Sequence, residues 1–512
     1  MDRSPATIED TTARGSERGA SMRRAYVLVS SLVLLIAVGL LVYSQTMAFV
    51  WDEGFHLLTA QLIDAGKLPY IDFCFPQTPL NAYWNAAWMH FFGQSWRVTH
   101  VVAALLDAGC VFLITDFVFA RFGAPRWRVA CAMVVALFVG LNTNAVEFGT
   151  VAQAYGICLF LTVASFRAAI SAVSRQTVFY SIAAGLLAGA AADSSLLTAP
   201  VAPVLLLWMF FCNTRGNRWI KCAAFVAGVI LPFLPVLWLF MKAPYQVFFN
   251  IVQYQAMFRR VDWAGATPHD VDVLSGWLNS TQALLMGFLG VAGIVFLVKK
   301  NAWDRARRNE FYLCGWLALA LTAYIATAHP TFERYFVFVV PFLSAVAAVG
   351  LYAVSSRLAH PDRPFWPAAV IALLVILALG KGLFDDRDSV SWKDYEQIAK
   401  KVNEVTPPNG GLYADELVYF LLRRTPPAGM EFSYAHKLDL PPAKAAALHL
   451  ISYGELKKEI AAGKFDTVQT CNDDKIDEFG LPRLFPHKTD IGDCTIFWSK
   501  VQPHPAAASP AK

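Results

Sequence analysis

Asp52 and Glu53 stand side by side in FVWDEGFHLLTAQLIDAGKLPYIDF, residues 49–73, just after the first long apolar run of the chain. A loop needs charge only to stay wet, and this one carries paired acids where a hydrophobic helix ends. A carboxylate that accepts a proton from a hydroxyl makes it a usable nucleophile. Asp52 is therefore a candidate general base at a lipid-facing site. The plainer reading is that Asp52 caps the helix starting at Glu53, where an acid also suits the helix dipole.

The elements around this pair belong to a membrane. Of 512 residues, 56% are hydrophobic and 16% charged, and the mean hydropathy is +0.44. Soluble domains carry nearer a quarter charged residues. Crossing hydrocarbon takes about 20 apolar residues. Several such runs occur, so the fold class is an α-helical polytopic membrane protein. The expected spans are 26–48, 99–120, 129–144, 147–166, 178–192, 196–212, 222–241, 273–298, 311–328, 335–354 and 366–383, about eleven. Each is expected to be a helix, because backbone in lipid must satisfy its own hydrogen bonds. The first run is too long for a signal-peptide core and is read as a retained helix. The formal net charge is only +5, and its distribution says more. With the N-terminus inside, the inside loops hold roughly 20 Lys and Arg and the outside loops six. That asymmetry favours this orientation and an odd number of spans.

Three regions then face outside: the loop 49–98, the loop 242–272, and everything after 383. In the first, Phe55, Leu58 and Leu62 recur at helical spacing, and GKLPY breaks the helix. Leu80, Tyr83, Trp84, Trp88, Phe91 and Phe92 form an aromatic stripe on a second one. Two short amphipathic helices at the interface are expected, since aromatic rings favour headgroup depth. In the tail, SWKDYEQIAKKVNEV reads as an amphipathic helix and PPNGG stops it. GLYADELVYFLL and KFDTVQTC read as strand or strand–helix segments. Residues 384–500 are expected to form a small extracytoplasmic α/β domain, with 1–25 a cytoplasmic tail and 501–512 a disordered end. Cys471 and Cys494 fall in that domain, where an oxidising compartment would let them pair; two free thiols are the alternative. Asp107, Asp116, Glu147 and Asp193 lie in or beside spans, where acids are functional candidates by default.

The stretch WDEGFHLLTAQLIDAGKLPYIDFCFPQTPLNAYW has its acidic pair, then Gly66, Pro69, Tyr70 and Asp72 about a dozen residues on. It resembles the first external loop of membrane glycosyltransferases of the GT-C fold. The nearest likeness is to glycosyltransferase family 39, the group of protein O-mannosyltransferases and the lipid A aminoarabinose transferase. HPTFERYFVFVVPFL, residues 329–343, is similar to that family's Arg-Tyr followed by an apolar helix with Pro. The likeness covers roughly 26–383 in layout, and its specific motifs are these two stretches.

The resemblance implies a GT-C-like membrane domain. It implies a polyprenyl-phosphate-linked sugar as donor and transfer with inversion to an extracytoplasmic hydroxyl on a lipid, glycan or protein. It makes Asp52 the base and Glu53 its support or a metal ligand. Arg334 and Tyr335 become contacts to the donor phosphate, since a planar guanidinium suits an anionic leaving group. Lys67 is a lesser candidate for that role. His56, Tyr70, Asp72, Glu147, Asp193 and His329 are further candidates for lining the site. The family's turn near Asp193 often carries a basic residue; here it is acidic, which leaves a second phosphate contact unassigned. His56 and His329 lack diagnostic ligand spacing, so no metal and no other cofactor is expected. The implied partners are the lipid-linked donor, the acceptor and membrane lipids, with no nucleic acid. The implied location is the cell inner (plasma) membrane, multi-pass.

Two other classes compete. A transporter or flippase of lipid-linked sugars would put acids and broken helices at the bilayer midplane in paired halves. Here the acids concentrate in an outside loop and no paired halves are visible. A membrane-anchored interaction protein would keep its function in the tail, which carries no evident binding motif. The topology is directly testable: a reporter active only in the cytoplasm, fused after residue 400, should be silent, and a strong signal there would reverse the orientation of every candidate residue.

Overall fold

The computed structural model describes residues 6–46, 48–213, 216–259, 265–299, 303–358, 364–385, 387, 390–438 and 440–499. The chain enters through α1 (Ala6–Thr46), which runs well back into the expected polar tail. The first loop carries α2 (Glu53–Asp64) and α3 (Leu80–Phe92). Next come α4 (Trp96–Arg121), α5 (Arg128–Gly140), the short α6 (Thr143–Phe148), α7 (Tyr155–Arg175), α8 (Val178–Ser194) and α9 (Val201–Cys212). α10 (Arg218–Ile230) continues through a 3-10 turn into α11 (Leu234–Lys242). α12 (Pro244–Phe248) runs into a π-helix, Phe249–Phe258. The membrane domain closes with α13 (Ala266–Asn279), α14 (Thr281–Lys299), α15 (Arg305–Ala326), α16 (Val340–Leu358) and α17 (Phe365–Asp385).

Among the described residues, seven helices are long and apolar enough to cross a membrane: Met22–Thr46, Trp96–Arg121, Tyr155–Arg175, Arg218–Lys242, Thr281–Lys299, Glu333–Arg357 and Phe365–Asp385. The other four expected spans fall on α5, α8, α9 and α15. Two expected boundaries are corrected. The run 147–166 is not one helix: α6 ends at Phe148 and α7 begins at Tyr155. In the break, the Ala152 N–H donates to the Glu53 carboxylate (2.8 Å), a partner that no helical backbone would offer. The run 273–298 breaks at Ser280, between α13 and α14.

Small residues let helices meet backbone to backbone, as hydrocarbon gives no hydrophobic drive for association. A Cβ on Gly185 or Gly189 of α8 would run into the Phe225 or Val229 carbonyl of α10. A Cβ on Gly350 of α16 would run into the Leu289 carbonyl of α14. One end of the bundle is tied by charge, through Arg121–Glu310 and Arg167–Asp116 (2.6 Å for the latter). Asp116 is thereby spent on a structural ion pair.

At the other end sit the first loop and the tail. The tail holds α18 (Trp392–Val405), opened by a capping box between Ser391 and Asp394, and α19 (Glu416–Leu422). A four-stranded sheet follows in the order β1-β2-β4-β3, formed by β1 (Leu412–Tyr413), β2 (Thr467–Thr470), β3 (His487–Ile491) and β4 (Cys494–Trp498). β1 and β2 are parallel, and the other pairs are antiparallel. Register puts Thr470 opposite Thr495, so Cys471 meets Cys494, and the two form a disulfide.

The tail is packed on the membrane domain. Trp392 stacks on Trp96 with ring centroids 4.5 Å apart, and Tyr395 stacks on Phe49 at 5.4 Å. α19 lies on α2 so closely that a Cβ on Gly54 would stand 2.9 Å from Leu417 Cγ. This corrects the expected interfacial setting of α2, which is buried from Glu53 through Leu62 beneath the tail. α3 does expose its aromatic end, at Phe91 and Phe92. The helix packing predicts a contrast. Gly350→Val should lower the thermal stability of the purified protein by about 1–3 kcal/mol through overpacking. Gly380→Val in α17, with nothing within 4 Å of the glycine, should be close to neutral in the same melt.

Candidate functional site

Asp52 occupies the N-cap position of α2 but does not cap it. Its backbone is already helical (φ −65°, ψ −7°) and no side-chain cap bond forms. The carboxylate reaches across the site instead. Oδ2 accepts from the Arg334 guanidinium, and Oδ1 accepts from the Tyr434 hydroxyl at 2.8 Å. The capping reading is thus replaced by a carboxylate with two donors, one from the membrane domain and one from the tail.

Arg334 is delivered by a 3-10 turn, Glu333–Val339, that feeds α16. Its guanidinium lies 4.4 Å from the Phe332 ring centroid and 5.9 Å from that of Phe148, and it also engages Tyr155. A second cation joins it. Arg259, at the end of the π-helix, bonds the Tyr335 hydroxyl and lies 5.5 Å from the same Phe332 ring. π-Helical turns often occur at functional sites, because the extra residue re-aims the chain. Here Asn250 docks this one on the first loop: its Oδ1 accepts from the Phe75 N–H at 2.9 Å. Two guanidinium groups, always charged, therefore converge with Tyr335 beside Asp52. Desolvated cation–π contacts of this kind stabilise by about 2 kcal/mol each.

Glu53 points elsewhere. Its side chain is 0% exposed, and Oε1 meets His100 Nε2 at 2.6 Å as well as the Ala152 N–H. His100 Nδ1 faces the Ser44 carbonyl at 2.7 Å, and since a carbonyl only accepts, Nδ1 carries hydrogen. Through these bonds the carboxyl and the imidazole hold α2, α4 and the 149–154 break together. Glu53 makes no bond to Asp52.

The remaining candidates are scattered. Tyr70, at φ 68°, is fully buried and donates to the Gln77 carbonyl at 2.5 Å. Asp72 accepts from the Leu68 N–H at 2.7 Å. Both shape the turn. Lys67 has Glu431 as its charged neighbour, where it opposes the rise that burial imposes on that carboxyl. Asp193, at the end of α8, is buried facing Tyr70 and Tyr83, whose phenols are raised first by burial and then by that acid. Glu147 lies on α6, whose Phe148 faces Arg334. His329 bonds Asp270, which also accepts from the Thr331 N–H at 2.7 Å, fixing the approach to Arg334. His56 has Asn81 as its partner, 3.4 Å away. Among the described residues, no group of three or more His, Cys, Asp or Glu side chains is set to hold a metal ion.

Sequence reasoning missed Arg259, Tyr155 and Tyr434 as site residues. Arg259 was visible only as an outside-loop cation, and nothing local in FSYAHK marks Tyr434.

This architecture is the GT-C fold. The chain is similar in structure to ArnT from Cupriavidus metallidurans bound to undecaprenyl phosphate, with a TM-score of 0.62 and 13% identity over 92% of this chain and 97% of that one. The apo form of ArnT gives a TM-score of 0.63 at 14% identity, over 92% and 98% of the two chains. The archaeal oligosaccharyltransferase AglB from Archaeoglobus fulgidus, in complex with an inhibitory peptide and a dolichol-phosphate, aligns with a TM-score of 0.52 at 13% identity over 89% and 72%. No family model and no curated sequence matches the chain.

Burial pushes the His56 imidazole down to about 4, against the opposing pull of Asp52. The unfolded chain, with an ordinary His near 6.5, binds a proton that the folded one refuses. Stability should therefore fall as pH drops through that window. His56→Gln should flatten the loss, by up to about 3 kcal/mol at its acid end, in thermal melts taken from pH 6.5 to 4.5.

Proposed function

We propose that this protein is a glycosyltransferase that moves a sugar from a polyprenyl-phosphate donor to an acceptor hydroxyl on the outer face of the cell inner membrane, with Asp52 as general base. The observation that carries the reading is the Asp52–Arg334 pair beside Arg259 and Tyr335, at the mouth of the helix bundle. The fold shared with ArnT and AglB supports it, as those proteins are bound to undecaprenyl phosphate and dolichol-phosphate. The charge asymmetry of the loops and the Cys471–Cys494 disulfide support an extracytoplasmic tail.

The chemistry balances on these residues. The acceptor oxygen attacks the anomeric carbon from the face opposite the phosphate, and the configuration inverts. The acceptor proton passes to Asp52. The bond from the anomeric carbon to the phosphate oxygen breaks, and its electron pair leaves with the polyprenyl phosphate, which gains a negative charge. Arg334 links the two events: as protonation neutralises Asp52, its guanidinium turns from carboxylate to phosphate. Arg259 and Tyr335 hold the phosphate from the other side. No step in this reading runs through a metal or a cofactor.

Asp52→Asn should retain the fold and polyprenyl-phosphate binding while turnover falls about 10²- to 10⁴-fold, the usual loss of a general base. Arg259→Ala should instead weaken polyprenyl-phosphate binding, by about 1.5–3 kcal/mol for one charged hydrogen bond. Sugar transfer from polyprenyl-phosphate donors by purified variants, with lipid binding measured separately, tests both. An Asp52→Asn enzyme that turns over at the parent rate would end the base assignment.

A further inference from the structure

Tyr434 is the tail's entry into the site. It sits on a 3-10 turn, Ser433–Lys437, beside the first loop. The turn is docked through the two residues just before the tyrosine. The Ser433 N–H donates to Glu416 Oε1 at 2.8 Å, and Glu416 begins the helix that lies on Gly54. The Phe432 ring packs on Phe55 at 5.4 Å and on Tyr254 at 5.8 Å. Tyr434 itself is 46% exposed, while its hydroxyl bonds Asp52 Oδ1. Shielding of the hydroxyl end from water, and then the Asp52 carboxylate, raise its phenol, so the group stays a donor.

A general base receives its proton along the same line on which it accepts the nucleophile's hydrogen bond. Arg334 occupies Oδ2, and in this structure the O–H donor on Oδ1 is Tyr434. We infer that Tyr434 stands in the acceptor hydroxyl's place on Asp52, so that acceptor binding exchanges one O–H donor for another and the tail gates access to the base. The inference rests on Asp52 being the base. It gives the tail a part in the reaction: the Tyr434 hydroxyl must leave Oδ1 for an acceptor hydroxyl to take its place there, and water, which makes few other contacts, displaces it poorly. The gate therefore guards the lipid-linked donor against hydrolysis. In that side reaction, water attacks the anomeric carbon, Asp52 takes the proton, and polyprenyl phosphate leaves with the bonding electrons, giving the free sugar.

Tyr434→Phe keeps the ring and removes the hydroxyl, and Tyr434→Met serves as a second hydroxyl-free variant. The full chain, purified in detergent, would be given a short-chain polyprenyl phosphate carrying a hexose or a pentose, without acceptor, and release of polyprenyl phosphate followed. Both variants should hydrolyse donor about tenfold faster than the parent, the scale of one hydrogen bond to a carboxylate. Polyprenyl-phosphate binding should be unchanged, and the KM of any acceptor that the parent uses should fall. Unchanged or slower hydrolysis in variants that melt like the parent would overturn the gate. If neither the parent nor the variants release polyprenyl phosphate from any probe, the transferase reading fails separately. The gate is then decided by labelling of Asp52 with a water-soluble carbodiimide: faster labelling in both variants upholds the contact as a cover over Oδ1, and equal labelling overturns it.

Discussion

A carboxylate drawn partly out of water must find donors, because its desolvation otherwise costs several kcal/mol. Asp52 finds one in Arg334, 282 residues away, and one in Tyr434, 382 residues away. These two bonds join the first loop, the start of α16 and the tail at one point. Much else in the structure holds that point still. His329 and Asp270 fix the approach to Arg334, Asn250 docks the π-helix that presents Arg259, and Glu416 fixes the turn that presents Tyr434.

The two adjacent acids do different work because a helix turns about 100° per residue, and neighbours in sequence do not face each other. Asp52 leaves α2 toward the site. Glu53 leaves it toward α4 and is closed off with His100. That buried pair is a structural clamp: it braces the helix from which Asp52 projects and interrupts the apolar stretch between α6 and α7 by taking a backbone N–H. Such a pair is costly to break, since removing one partner strands the other. The rigidity of the site therefore depends on an acid that does no chemistry in the proposed reaction.

The electrostatics of the site are lopsided. Two guanidinium groups gather around one aromatic wall of Phe332 and Tyr335, and the carboxylate pairs with one of them. Aromatic faces tolerate cations without neutralising them, so this wall gathers positive charge in a place sheltered from water. The tail adds a polar edge to this wall, and its disulfide ties β2 to β4.

The sequence by itself determined the membrane class, the helical character of most spans, the amphipathic α18 and the two stretches that carry the acids and Arg334. The first three are local: hydropathy sums over about 20 neighbouring residues, and amphipathic spacing repeats every 3.6; the two stretches stood out by their resemblance to a family's motifs. Only the tertiary structure decided which atoms Asp52 bonds, that α2 is buried beneath the tail, that the expected spans at 147–166 and 273–298 break, and that Lys67, Tyr70 and Asp72 lie on a shaped turn while Arg259 and Tyr434 meet the site. Each of these depends on a contact between residues far apart in the chain. Tyr434 shows the limit most plainly: FSYAHK has no unusual composition, and its tyrosine matters only because α19 packs on Gly54 and brings that turn over a carboxylate from the far end of the chain.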